Sequence, residues 1–176
     1  MTKFRNTRMS LGSAEFNYIR QLVNNHSAIA LDESKEYLVE MRLAAVIRKL
    51  GIASLSELVL KLQSGTDDKL RLLVGEAMTT NETSFFRDIH PFETLKNDVL
   101  PDLFKRRQAE RTLSIWCAAS SSGQEPYSIA MILRDHFPEI LGWKLNFLAT
   151  DISEHVLTQA REGRYTQLEA NRGLST

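Results

Sequence analysis

The chain has 176 residues, room for one ordinary domain or two small ones. Hydrophobic residues make up 43% of it, enough to build a core and to set it apart from disordered chains. The 22 Lys and Arg balance 22 Asp and Glu, so no net basic charge recommends nucleic acid as the main partner.

The opening, Met1-Thr2-Lys3-Phe4-Arg5-Asn6, lacks the apolar stretch of a signal peptide. No uncharged apolar run further on approaches the roughly 20 residues that cross a bilayer, so no direct membrane insertion is expected. From about Ser13 to Met78 the pattern is one of short amphipathic helices. Ser13 is placed to cap the first, which carries Phe16, Ile19, Leu22 and Val23 on one face. Leu38, Leu43, Val46, Ile47 and Leu50 line the second, and Gly51 stops it as a glycine just past the helix end. Ser54 and Glu57 suit a capping box for a third helix that ends near Gly65. Asp67 and Asp68 open a fourth, carrying Leu70, Leu73, Val74 and Ala77. Without any sequence repeat this is a small bundle and not a solenoid. Arg20, Arg42, Arg48 and Lys49 are charges of this region, and a solvated surface is their default reading.

The segment Met78-Thr79-Thr80-Asn81-Glu82-Thr83-Ser84-Phe85-Phe86-Arg87-Asp88 breaks the helical period and reads as a connection. Two adjacent phenylalanines are unusual in a spacer, and its Thr, Asn and Arg side chains offer several hydrogen-bond donors from one short stretch. After Pro101, the cluster Lys105-Arg106-Arg107 with Arg111 reads as a solvated helix face in preference to a nucleic-acid patch.

A β-prone run, Leu113 to Cys117, then falls into the small-residue loop Ala118-Ala119-Ser120-Ser121-Ser122-Gly123, and a helical pattern begins near Glu125-Pro126. Strand, small-residue loop and helix together aim backbone N–H groups at a bound cofactor, and small side chains let a ligand approach the backbone. Cys117, the single cysteine, lies in the apolar strand without a disulfide partner, which fits a reducing cytoplasm. A second strand, Lys144 to Asp151, ends on a carboxylate placed to accept ribose hydroxyls. Asp151 could instead cap the next helix, but Ser153 begins that helix equally well and would leave Asp151 free. His26, His90, His136 and His155 form no pair at ligand spacing, so no metal site is expected.

Two stretches carry a resemblance. Thr79-Thr80-Asn81-Glu82-Thr83-Ser84-Phe85-Phe86-Arg87-Asp88, followed by Ala118-Ala119-Ser120-Ser121-Ser122-Gly123-Gln124-Glu125-Pro126-Tyr127-Ser128-Ile129-Ala130-Met131, resembles the CheR family of S-adenosylmethionine-dependent methyltransferases. Ala149-Thr150-Asp151-Ile152-Ser153, Ala160-Arg161-Glu162-Gly163-Arg164-Tyr165 and Tyr37-Leu38-Val39-Glu40-Met41-Arg42-Leu43 look like further landmarks, so the likeness runs from about Phe16 onward. It implies an α/β chain: a small N-terminal helical bundle (13–78), an interdomain segment contributing to the cofactor site (79–95), and the first part of a Rossmann-like S-adenosylmethionine-dependent methyltransferase domain (96–176).

The resemblance implies that Asn81, Thr83 and Arg87 reach S-adenosyl-L-methionine, or its product S-adenosyl-L-homocysteine. Glu125 would contact it from the loop and Asp151 would hold its ribose. For Glu125 the alternative is stabilisation of the helix dipole. The implied reaction is methyl transfer to glutamate side chains on the cytoplasmic methylated helices of chemoreceptors. A glutamate with a pKa of about 4.3 is already ionised and needs no general base, so catalysis rests on alignment and exclusion of water. Arg87 is the catalytic candidate, its planar fork suited to orienting a carboxylate; the alternative is a salt bridge to Asp88 or Glu82. A positive second helix would dock against acidic receptor helices, where charge mainly steers encounter.

Members of this family continue beyond the point reached by Asn171-Arg172-Gly173-Leu174-Ser175-Thr176, and two parallel strands alone make a poor sheet. The chain therefore reads as truncated before the C-terminal part of the family domain. Two further readings stand beside methyl transfer. One is an inactive signalling or adaptor domain on the same fold. The other is a nicotinamide-dependent oxidoreductase, against which the loop offers one glycine where that fingerprint has three.

Overall fold

The computed structural model describes residues 11–174; the opening Met1-Thr2-Lys3-Phe4-Arg5-Asn6 lies outside the described residues. The chain divides after Thr80 into two compact units.

The first unit is helical: α1 (Ser13–Ser27), α2 (Glu36–Leu50) behind a single 3-10 turn, α3 (Leu55–Gln63) and α4 (Asp68–Met78). Local chemistry sets most of these ends. Asp67 accepts the Leu70 N–H at 3.0 Å and starts α4. Gly51, with φ at 66°, ends α2, and Ile52 reaches back to donate to the Ile47 carbonyl at 3.0 Å. Ser54 caps α3 by accepting the Glu57 N–H, while the Glu57 carboxylate reaches one residue past the cap to the Ala53 N–H. Ser13 differs from expectation. It lies inside the first turn of α1, and extended Gly12 takes the cap position, its N–H satisfied by Glu15 at 2.8 Å. A carboxylate three residues on fills that donor without a serine hydroxyl.

Phe16, Ile19 and Val23 of α1, Val39, Leu43 and Ile47 of α2, Leu58 and Leu62 of α3, and Leu70, Val74 and Met78 of α4 fill the core of this unit. Leu50, expected on the buried face of α2, is exposed. The chain reverses at Gly51, and Ile52 packs against the core in its place.

The second unit opens with one continuous helical rod built of α5 (His90–Thr94), a π-helical turn over Leu95–Val99, and α6 (Leu100–Arg107). In the wide turn the Leu100 N–H donates to the Leu95 carbonyl. Pro101 follows directly; its ring lacks an N–H and clashes with the carbonyl four residues back in a regular helix, and the widened turn relieves both. The basic cluster at the end of α6 is solvated and paired, Arg106 with Asp102 and Arg107 with Glu110.

Strand β1 (Thr112–Ala118), α7 (Gln124–His136), a 3-10 turn over Pro138–Gly142, and strand β2 (Lys144–Thr150) form a parallel β-α-β unit; α8 (Glu154–Glu162) and the short α9 (Gln167–Asn171) follow. Thr112 pairs with Lys144 and Ala118 with Thr150, so both strands end at the same level. Leu113, Ile115 and Cys117 on one sheet face meet Ile129, Ile132 and Leu133 of α7 and Phe92, Leu100 and Phe104 of the rod. The opposite face is bare: Trp116 is 68% and Leu148 57% exposed, although parallel sheets are ordinarily covered on both sides. Among the described residues no helix is long and apolar enough to cross a membrane.

Candidate functional site

Asn81 and Asp151 meet at the C-terminal ends of the two strands, where open α/β sheets bind their ligands. The chain leaves β1 through a tight loop in which Ala119 (φ 58°) and Ser121 (φ 49°) both take left-handed backbone. That geometry costs about 1 kcal/mol or more for each residue with a Cβ. It turns the Ser121 N–H toward Asp151, whose Oδ2 accepts it at 2.8 Å. The same residue donates its hydroxyl to the Asn81 carbonyl at 2.7 Å. Ser121 thus ties the connecting segment, the β1 loop and the end of β2 together, and brings Asn81 and Asp151 to one place.

Asp151 is not free, as the sequence suggested it would be. Its Oδ1 accepts the Ser153 N–H at 2.9 Å, and the Ser153 side chain makes no capping bond. The aspartate two residues upstream satisfies the N–H of the cap residue itself. A carboxylate has about four lone-pair sites. With two in use, Asp151 retains capacity for ribose hydroxyls.

Thr83 and Arg87 line a separate cavity of about 240 Å³, together with Glu82, Ser84 and Arg172. The Arg87 guanidinium donates to the Glu82 main-chain carbonyl at 2.7 Å and forms no ion pair with Glu82 or Asp88 among the described residues, the bland alternative for this side chain. Phe86 (φ 47°) and Asp88 (φ 53°) flank it in left-handed backbone, which for a bulky residue such as phenylalanine is an outlier held by its surroundings. The hold is visible: the Phe86 N–H donates to the hydroxyl of fully buried Ser128 at 3.0 Å, and that hydroxyl donates in turn to the Gln124 carbonyl of α7.

Glu125 stands apart from these. It is exposed in the first turn of α7, where a carboxylate suits the helix dipole, and its carboxylate faces the Cys117 thiol. Burial, reinforced by the charge of Glu125 and a hydrogen bond to it, pushes that thiol up to about 11. The cysteine is neutral and not a nucleophile at physiological pH.

Sequence reasoning passed over four residues. Ser121 and Ser128 lie within the quoted motif but read there only as small. Arg172 is distant in the chain from Arg87. Tyr165, quoted only as a landmark, donates its hydroxyl to the Ser122 carbonyl at 2.7 Å and sets its ring edge-on to Phe85 at 4.9 Å. Burial pushes its phenol up to about 12 and keeps that donor protonated. Gly123 (φ 97°) is required beneath it, because a Cβ there would meet the Tyr165 hydroxyl at 3.0 Å and the Ala160 Cβ at 2.9 Å.

Ser120 is buried, and its Oγ has no hydrogen-bond partner among the described residues; a buried hydroxyl left in that state points to a ligand or water that completes it. Beside Asp151 and backbone donors, this donor set suits a nucleoside.

A helical unit followed by a β-α-β unit, with a small-residue loop after the first strand and a carboxylate after the second, defines a Rossmann-like nucleotide-binding domain joined to a helical domain. The chain belongs to the CheR methyltransferase family: the family's all-alpha domain matches residues 14–78 and its SAM binding domain matches 81–176. It is 43% identical over 170 residues to "Chemotaxis protein methyltransferase Cher2" of Pseudomonas putida, covering 95% of this chain and 62% of the relative. It is 44% identical to "Chemotaxis protein methyltransferase 1" of Pseudomonas aeruginosa, over 95% of this chain and 61% of that protein. The Escherichia coli "Chemotaxis protein methyltransferase" is 36% identical over 92% of this chain. The chain thus spans 54% to 62% of the length of these relatives. Family membership sets the nicotinamide reading aside.

Proposed function

We propose that this chain carries the cofactor-binding part of a protein-glutamate O-methyltransferase, which moves a methyl group from S-adenosyl-L-methionine to glutamates of chemoreceptors. The single observation that carries the reading is the Ser121 bridge, which joins Asn81 of the connecting segment to Asp151 after β2.

When bound, S-adenosylmethionine supplies an electrophilic methyl group on a sulfonium. Asp151 would accept the ribose hydroxyls with its unused lone pairs. Asn81 and Thr83, within the segment 79–95, and Glu125 in the first turn of α7 would hold the rest of the cofactor. Arg87 turns its fork to the acceptor carboxylate and fixes the angle of approach. The acceptor oxygen is already an anion, so methyl transfer to it would require no proton to be removed by the protein. The ordinary value of a glutamate, about 4.3, ensures this above pH 6.

The receptor-facing element is α2, whose outer face carries exposed Tyr37, Met41, Arg48 and Lys49. Arg42 on the same helix is excluded from that surface: it donates to the Met78 carbonyl and to Thr80 Oγ1, the latter at 3.1 Å. Acidic receptor helices would be steered to Arg48 and Lys49. The cytoplasm is where such a reaction takes place.

Calorimetric titration of S-adenosylhomocysteine into this chain, and into a version extended to the length of its relatives, tests the reading. Binding by either is expected, with methyl transfer by the longer one to glutamate-bearing receptor helices. Binding by neither would overturn it.

A further inference from the structure

The cavity beside Arg87 holds a second guanidinium. Arg172, in the turn after α9, lines it together with Arg87, Thr83 and Ser84. Its position is built in: a Cβ on the next residue, Gly173, would lie 1.8 Å from the Phe85 carbonyl oxygen and 3.1 Å from the Phe85 Cβ. Only glycine allows the two backbones to meet so closely, and that contact sets Arg172 against the segment carrying Arg87.

Neither guanidinium is neutralised. Among the described residues, no ion pair involves Arg87 or Arg172, although Glu82 also lines the cavity. Arginine is always charged, so an anion entering this cavity meets two cations, both exposed. At about 240 Å³ the space is below the roughly 300–1,000 Å³ of a pocket that swallows a whole drug-sized ligand. It suits one end group. A planar fork matches a carboxylate with two parallel hydrogen bonds.

We propose that Arg172 is a carboxylate-binding residue of this site, acting with Arg87. This rests on the methyltransferase reading, which brings two carboxylates here: that of the cofactor's amino-acid end, and that of the acceptor glutamate. The chemistry of recognition is the same for both, and the experiment separates them.

Arg172→Ala and Arg172→Lys are compared with the unaltered chain, with circular dichroism to check the fold. S-adenosylhomocysteine and 5′-methylthioadenosine, which lacks the carboxylate, are titrated into each. The versions extended to relative length are assayed for kcat and KM with a glutamate-bearing receptor helix. If the site takes the cofactor's carboxylate, Arg172→Ala weakens S-adenosylhomocysteine about tenfold or more and leaves 5′-methylthioadenosine unchanged. If it takes the acceptor's, both nucleosides bind as before and acceptor KM rises about tenfold. In either case lysine restores part of the loss, and added guanidinium ion rescues the alanine variant. A folded Arg172→Ala that matches the unaltered protein in all three constants overturns the assignment and leaves the methyltransferase reading standing. An unaltered protein that neither binds nor transfers removes both.

Discussion

Asp151 has a structural role beside the ribose contact proposed for it. Its two oxygens already hold the Ser121 and Ser153 N–H groups, so removing it does more than delete a ribose partner. Asp151→Ala should weaken S-adenosylhomocysteine binding by about tenfold or more, since hydrogen bonds to charged groups are worth roughly 1.5–3 kcal/mol. It should also lower stability by about 1–3 kcal/mol through the two donors left unpaired. Calorimetry and urea unfolding measure the two effects separately. An unchanged affinity would remove Asp151 from the site. Cys117 makes the opposite case, a reactive residue type held inert. Its thiol ionises at about 11 in the folded chain against an ordinary 9.0. As pH rises the unfolded chain therefore loses that proton first, and the stability involved is complete below pH 9 and gone by about pH 11. A thiol reagent should leave native Cys117 unmodified at pH 7. Cys117→Ala should flatten the loss of stability between those two pH values relative to the unaltered chain.

At the scale of elements, helix ends and strand ends behave differently. Asp67, Ser54 and Gly51 act on backbone groups only three to five residues away, so each helix start or stop is a local event. Gly75 in α4 is different. By propensity alone, alanine in a helix interior gains about 1 kcal/mol over glycine. Here an added Cβ would lie 2.1 Å from Cδ2 and 3.0 Å from Cγ of His26, so turning the ring in place does not clear it. Overpacking of this kind costs about 1–3 kcal/mol. Gly75→Ala should therefore destabilise the helical unit, and a urea midpoint that rises instead would show that His26 swings away without cost.

Across the whole molecule, the two units each carry a core of their own, and the sheet of the second is finished on one face only. Leu133 of α7 is 2% exposed and Leu148 of β2 is 57% exposed. Leu133→Ala should cost about 2–5 kcal/mol, whereas Leu148→Ser should stay within about 0.5 kcal/mol. Chemical denaturation of the two variants decides this. A large loss at Leu148 would mean that the bare face is covered in solution, for instance by another copy packing against it.

Periodicity and capping residues by themselves determined the four helices of the first unit, the order strand, loop, helix, strand in the second, and the motif that placed the chain in its family. These depend on backbone groups within a turn or two of the side chain that satisfies them, or on apolar spacing that any core must bury. The exchange of Ser13 for Gly12 at the start of α1 shows the limit, since either residue satisfies the same local rule. Only the tertiary structure decided what Asp151 touches, because its partner Ser121 arrives from the other strand's loop by a left-handed turn. It alone set Arg172 beside Arg87, through a backbone contact at Gly173 that no local pattern encodes. Bonds between residues far apart in the chain depend on the pairing of strands and the seating of loops. Those follow from the packing of the unit as a whole, and no short window of sequence contains them.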